Sequence, residues 1–152
     1  YTYTHSSITT TKLQYQKGSA EYEKNVTQKR PLVNQAPHTA NVSLLYKDTE
    51  NGWNAQLSAS YTGKRLALVS PYKDADQWDK DMFSFDLSGE KKFHNGISIF
   101  LKVNNLINTK RERYLKTVNE SNLQYDGQKS DRTIIGTYQY GRTFLLGIRY
   151  TL

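Results

Sequence analysis

The chain has 152 residues, no cysteine, 12 Tyr, 5 Phe and 2 Trp, and a formal net charge of +7. That length fits one domain at most, the missing cysteines exclude a disulfide scaffold, a thiolate metal site and a cysteine nucleophile, and the longest apolar run, Leu66-Ala67-Leu68-Val69, is far too short for a bilayer-crossing helix. The positive charge is interspersed, with four basic and four acidic side chains in residues 64–82 and six and four in 107–140, which describes a mildly basic solvated surface; no nucleic-acid partner is expected.

The dominant signal along the chain is period-two alternation. Tyr1 and Tyr3 set against Thr2 and Thr4 begin a first strand, whose far end from Ile8 to Gln16 is less regular. Alternation already under way at Tyr1 reads as a chain entered in mid-strand, with any targeting segment upstream. After a long connection over 17–37, residues 38–48 set Ala40, Val42, Leu44 and Tyr46 against Asn41, Ser43 and Lys47, and Leu45 breaks the pattern. Thr49-Glu50-Asn51-Gly52 reads as a tight turn in which Asn and Gly take the positive φ. Residues 53–63 alternate without a break: Trp53, Ala55, Leu57, Ala59 and Tyr61 against Asn54, Gln56, Ser58, Ser60 and Thr62.

A second long connection covers 64–82, and residues 83–93 then oppose Phe83, Phe85, Leu87, Gly89 and Phe93 to Ser84, Asp86, Ser88, Glu90 and Lys92. His94-Asn95-Gly96 is the second tight turn. Residues 97–106 alternate with Phe100 out of pattern, 107–140 form the longest connection, and 143–152 alternate with Leu145 out of pattern.

These elements predict an all-β fold, an antiparallel up-and-down meander of about six long strands with short turns at one end and long connections at the other. Two architectures share that pattern. A soluble sheet buries its apolar face internally, whereas a transmembrane barrel turns it to lipid and its polar face inward. Strands of about ten residues suit a tilted crossing. Aromatics gather at both strand ends, Tyr46, Trp53, Phe93 and Tyr150 near the short turns and Tyr61, Phe83, Phe85 and Phe144 near the long connections, as membrane girdles do. Together with the turn asymmetry these favour the barrel. Lipid cannot satisfy an open strand edge, and the smallest membrane barrels have about eight strands, so residues 1–152 are expected to be one arc of a larger barrel.

Several motifs then resemble the C-terminal end of a TonB-dependent outer-membrane receptor of the kind common in Bacteroidetes-type bacteria. They are Lys29-Arg30-Pro31-Leu32 followed by Ala36-Pro37-His38; Tyr61-Thr62-Gly63-Lys64-Arg65 running to Val69-Ser70-Pro71-Tyr72 and Asp76-Gln77-Trp78; Lys102 to Thr109, similar to the family's Asn-Leu-Phe-Asn-Thr signature; and Gly141-Arg142-Thr143-Phe144 to the closing Tyr150-Thr151-Leu152, where members usually end in an aromatic. The resemblance implies a plugged barrel of about 22 strands in the bacterial outer membrane, with the plug domain and earlier strands absent from this chain. It implies as partners outer-membrane lipid, the N-terminal plug, the remaining barrel strands and the TonB–ExbB–ExbD complex. The function it implies is energised uptake of a ferric siderophore, haem, glycan or peptide, with 17–37, 64–82 and 107–140 extracellular.

No catalytic chemistry is expected. Ser70-Pro71-Tyr72-Lys73 spells a Ser-x-x-Lys pattern but follows a strand-like run and lacks companion motifs. The acidic run Asp74 to Asp81 lacks the Gly and Glu of a calcium loop. His5, His38 and His94 have no ligand spacing, so no metal or cofactor is expected, and no enzyme activity. What remains is a ligand surface of aromatics interleaved with cations in the long connections, for which Tyr72, Trp78, Arg113, Tyr114 and Tyr125 are the candidates. The pattern-breakers Leu45, Phe100 and Leu145 should face the lumen and touch the plug or one another. The other reading is a soluble antiparallel β-sheet binding module with a basic surface.

Overall fold

A computed structural model describes residues 1–15, 22–116 and 132–151. Their strands are β1 (Thr2–Tyr3), β2 (Ile8–Tyr15), β3 (Tyr22–Arg30), β4 (His38–Asp48), β5 (Trp53–Thr62), β6 (Arg65–Leu68), β7 (Gln77–Asp79), β8 (Met82–Lys92), β9 (Ile97–Asn104), β10 (Lys110–Lys116), β11 (Arg132–Gln139) and β12 (Thr143–Tyr150). They form three antiparallel sheets ordered β1-β4-β5-β8-β9-β12, β11-β10-β7-β6 and β2-β3. The first is the expected meander, with neighbours in space following chain order.

Two expectations need correction. The first strand does not run on to Gln16: β1 ends at Tyr3, and Ile8–Tyr15 leaves the main sheet to pair with β3. Its polar positions are not all solvent-facing, since Lys12 is buried against Asp76, which is why simple alternation failed there. The long connections are not irregular loops either, because each contributes strands to the two smaller sheets.

The short turns are built differently from the sequence expectation. Positive φ falls on the glycines alone, Gly52 at 70° and Gly96 at 78°, and not on Asn51 or Asn95. The asparagines instead tie the turns: the Asn51 amide donates to the Asp48 carboxylate, and Asn95 Oδ1 accepts the Ile97 N–H. A Cβ at Gly96 would also lie 2.5 Å from the Thr151 carbonyl oxygen, so space as well as φ demands glycine.

At the opposite end, Asn105 turns the chain out of β9 with φ 55°. Its N–H donates to the Asp86 carboxylate at 2.8 Å, its side-chain amide to the Gly141 carbonyl at 2.7 Å, and its Oδ1 accepts the Thr109 N–H at 2.9 Å. One asparagine thus joins β8, the end of β9 and the approach to β12. That gives the Asn105-Leu106-Ile107-Asn108-Thr109 motif a physical reason, because asparagine tolerates the left-handed region and supplies both a donor and an acceptor.

The main sheet has one apolar and one polar face. Cross-strand register lines up Leu44, Leu57, Leu87, Val103 and Phe144 on the apolar side. Toward the long connections Tyr61 and Phe83 touch, their ring centroids 4.7 Å apart. Toward the short turns the Lys91 ammonium lies 4.7 Å from the centre of the Trp53 ring and 5.8 Å from that of Phe93. Trp53 and Tyr61 are both on β5, about 27 Å apart at about 3.4 Å per residue. Among the described residues the buried hydrophobic side chains are Leu66, Val103 and Tyr114, whereas Leu44, Leu146 and Ile148 are 69%, 70% and 73% exposed. A soluble domain of this length would bury most such groups.

Candidate ligand surface

The four-stranded sheet brings most of the candidate residues together, and its two faces differ. On one, register places Leu66 beside Trp78 and Trp78 beside Tyr114. Leu66 and Tyr114 are buried there, and the Lys116 ammonium sits 4.2 Å from the centre of the Trp78 ring. Tyr114 therefore packs this sheet from within, while Trp78 also lines a recess with His5, Pro31 and Lys64.

The other face carries charge. Arg65 and Arg113 both pair in register with Asp79, and Arg111 stands two residues before Arg113 on the same side of β10. All three guanidinium groups reach the Asp79 carboxylate: Arg113 Nε at 2.9 Å, Arg65 Nε at 3.4 Å and Arg111 through Nη2. The carboxylate is 3% exposed, each arginine side chain about a quarter. Burial alone would push the Asp79 carboxyl up, but the hydrogen bonds and charges of Arg113 and Arg111 outweigh it and hold the group below its ordinary value. Asp79, by hydrogen bond and charge, keeps Arg111 firmly protonated against the opposing effect of its own burial, with Tyr140 adding to it.

The β2–β3 hairpin is fastened to the segment before β7. Lys12 pairs with Asp76, whose carboxylate also accepts the Ser70 N–H at 2.8 Å. Gln28 and Asp74 exchange two hydrogen bonds, and Leu13 is bonded through its backbone to Pro71 and Lys73. Tyr72 sits at this junction, bridged to Leu13 and partly exposed. The structure thus gathers Trp78, Arg113 and Tyr114 in one sheet and places Tyr72 beside a different hairpin. Tyr125 and Leu152 lie outside the described residues.

Sequence reading missed Asp79, Arg65 and Arg111. Residues 64–82 and 107–140 lack the sustained apolar alternation that marks the main-sheet strands, although the Arg111–Arg113 spacing is a readable signal of one strand face.

On the polar face of the main sheet, Leu45, Phe100 and Leu145 line one hollow of about 580 Å³. Leu45 and Leu145 belong to a single cross-strand row through Gln56, Ser88 and Lys102. Phe100 has a local reason to break the pattern as well. It pairs with Gly147, and its ring occupies the place of a side chain there, since an added Cβ would lie 2.2 Å from Phe100 Cζ. The ring covers a backbone that glycine leaves bare. Gly147→Ala is expected to cost about 1–2 kcal/mol through overpacking. The same change in a Phe100→Leu background should cost less than half of that, a coupling that a double-mutant cycle in urea measures.

Among the described residues no group of three or more His, Asp or Glu side chains could hold a metal ion. His38 accepts or donates a hydrogen bond with the Tyr1 hydroxyl at 2.8 Å, stacks on the Tyr1 ring and meets the Tyr3 ring at a tilt. No protein-family model, curated protein or solved structure matches the chain.

Proposed function

We propose that the chain is the C-terminal part of the β-barrel of a TonB-dependent outer-membrane receptor, a transporter piece without catalysis that takes part in energised uptake of a nutrient ligand. The observation that carries this reading is the exposed apolar face of the main sheet. Val42, Leu44, Leu101, Leu146 and Ile148 all stand open on it, bounded by the Tyr61–Phe83 and Trp53–Lys91–Phe93 groups. Left in water, each such side chain forgoes about 1.5–3 kcal/mol of burial; lipid supplies that burial without a protein core. The face is therefore the lipid face, and the six strands are an arc of a barrel of about 22 strands.

The sheet edges point the same way. Pairing with β1 covers only His38 and Thr39 of β4, and β12 has a partner strand on one side only among the described residues. Each unpaired backbone group in lipid costs several kcal/mol, so further strands must continue the sheet on both sides. In that frame the two smaller sheets are extracellular and carry the ligand surface. The hollow at Leu45, Phe100 and Leu145 takes an apolar part of the plug, and the TonB–ExbB–ExbD complex acts through the N-terminal part of the receptor. A structure of the intact receptor with all three side chains in open water would remove the plug assignment.

The deciding measurement is the mass and solubility of the native polypeptide from carbonate-washed membranes. A detergent-requiring species several times heavier than 17.6 kDa is expected. A carbonate-released, monodisperse 17.6 kDa species would replace the receptor with a soluble β-sheet binding module.

A further inference from the structure

We infer that the face of the four-stranded sheet carrying Arg65, Arg111 and Arg113 is a binding site for an oxyanion of about two negative charges, a phosphoryl group or a pair of carboxylates. Three guanidinium groups meet one carboxylate, and among the described residues every ion pair these arginines make is to Asp79. Glu112, the single acid of β10, is engaged by Lys80. The cluster therefore keeps an excess of about two positive charges in a partly buried setting, where like charges repel more strongly than in water.

Donor count makes the same point. A guanidinium has five N–H donors in a planar fork, and Arg65 and Arg113 meet Asp79 through Nε. A carboxylate offers about four acceptor positions, so Asp79 cannot satisfy three forks. A second oxyanion would complete the set, and bidentate geometry is what arginine offers over lysine.

The surroundings fit a ligand larger than an ion. Arg113 lies opposite Gly136 and Arg111 opposite Tyr138 in β11. The Tyr138 ring lies over Gly136, 3.4 Å from where a Cβ would be, and so flanks Arg113. Tyr138 and Tyr140 are both exposed, and Tyr140 stands near enough to help keep Arg111 charged. Two exposed phenols beside the arginines add hydroxyl donors and a stacking surface. Asp79 has a place in this scheme: it aligns the three side chains so that the ligand does not have to order them.

This inference names the ligand class of the proposed receptor and rests on that reading only for the word transport. Anion binding is measured on the full polypeptide in whichever form it is recovered, so its failure and the failure of membrane insertion are separate results. Calorimetric titration with inorganic phosphate, with citrate and with glucose is the test. Saturable binding of phosphate or citrate is expected, with none of glucose, and whichever anion binds distinguishes the phosphoryl from the carboxylate source. Arg111→Gln and Arg113→Gln should each weaken it at least tenfold, Arg111→Lys less, and Lys91→Gln not at all.

Phenylglyoxal labelling of the wild-type protein makes the test independent of variants that fail to fold: the bound anion should shield Arg65, Arg111 and Arg113 but not the exposed Arg149. Absence of saturable binding, binding untouched by Arg111→Gln and Arg113→Gln, or equal labelling with and without the anion would overturn the site.

Discussion

Leu44→Arg is expected to destabilise the protein in a bilayer by about 2–4 kcal/mol, the cost of a cation near mid-depth on the lipid face of a barrel. Leu44 lies in the middle of β4, paired with Leu57 and 69% exposed. In water such a position would accept arginine within about 0.5 kcal/mol. The companion change Asn41→Arg lies on the opposite face, paired with Ser60, and should cost little in a barrel because that face looks into the lumen. Urea unfolding in lipid vesicles reads both variants. A loss of 2 kcal/mol or more at Leu44 with near-neutrality at Asn41 fits lipid contact. Near-neutrality at both would put the apolar face in water and end the barrel reading.

Asp79→Asn is the second large effect. The substitution keeps the shape and one acceptor but removes the negative charge that three arginines share. Breaking a buried ion pair by removing one partner costs about 3–5 kcal/mol, and with the guanidinium groups partly wetted the low end, about 3 kcal/mol, is expected. Amide hydrogen exchange in β7 and β10 should show the loss locally, and a change below about 1 kcal/mol would mean that solvent already screens the cluster.

The pH dependence has a definite sign. The folded Asp79 carboxyl titrates below its ordinary value of 3.8. Its contribution is therefore fully present above that value and is lost as pH falls through the folded pKa. Wild type should lose stability of this sheet only below about pH 4. The Asn variant should lack that step, and an acid step of equal size in both would assign it to other carboxyl groups.

Where one face is apolar throughout, the sequence was sufficient to place the strands: β4, β5, β8, β9 and β12 fall within a residue or two of the alternating runs. The glycine turns at Gly52 and Gly96 were legible for the same reason, although the positive φ rests on glycine alone. The smaller sheets were not legible. In β7 a buried Asp79 and in β2 a buried Lys12 put charges where a hydrophobic pattern would mark an inward position. Those faces are held by ion pairs between residues distant in sequence, such as Lys12 with Asp76 and Arg65, Arg111 and Arg113 with Asp79, and a single sequence does not announce which charges will meet. Arg113 is legible by its residue type alone, and its partner follows only from the register of β7 and β10.

The uneven lengths of the connections also set an order of assembly. β4 to β5 and β8 to β9 are closed by short turns, whereas β5 to β8 and β9 to β12 must bring together ends separated by whole intervening hairpins. Closing those longer loops costs about 1.4–2 kcal/mol more chain entropy than closing a four-residue turn, and isolated hairpins form within microseconds. The β4–β5 and β8–β9 pairs are therefore expected to close before β5–β8 and β9–β12, and the four-stranded sheet, in which β7 must meet β10 across β8 and β9, to complete after its local pairs.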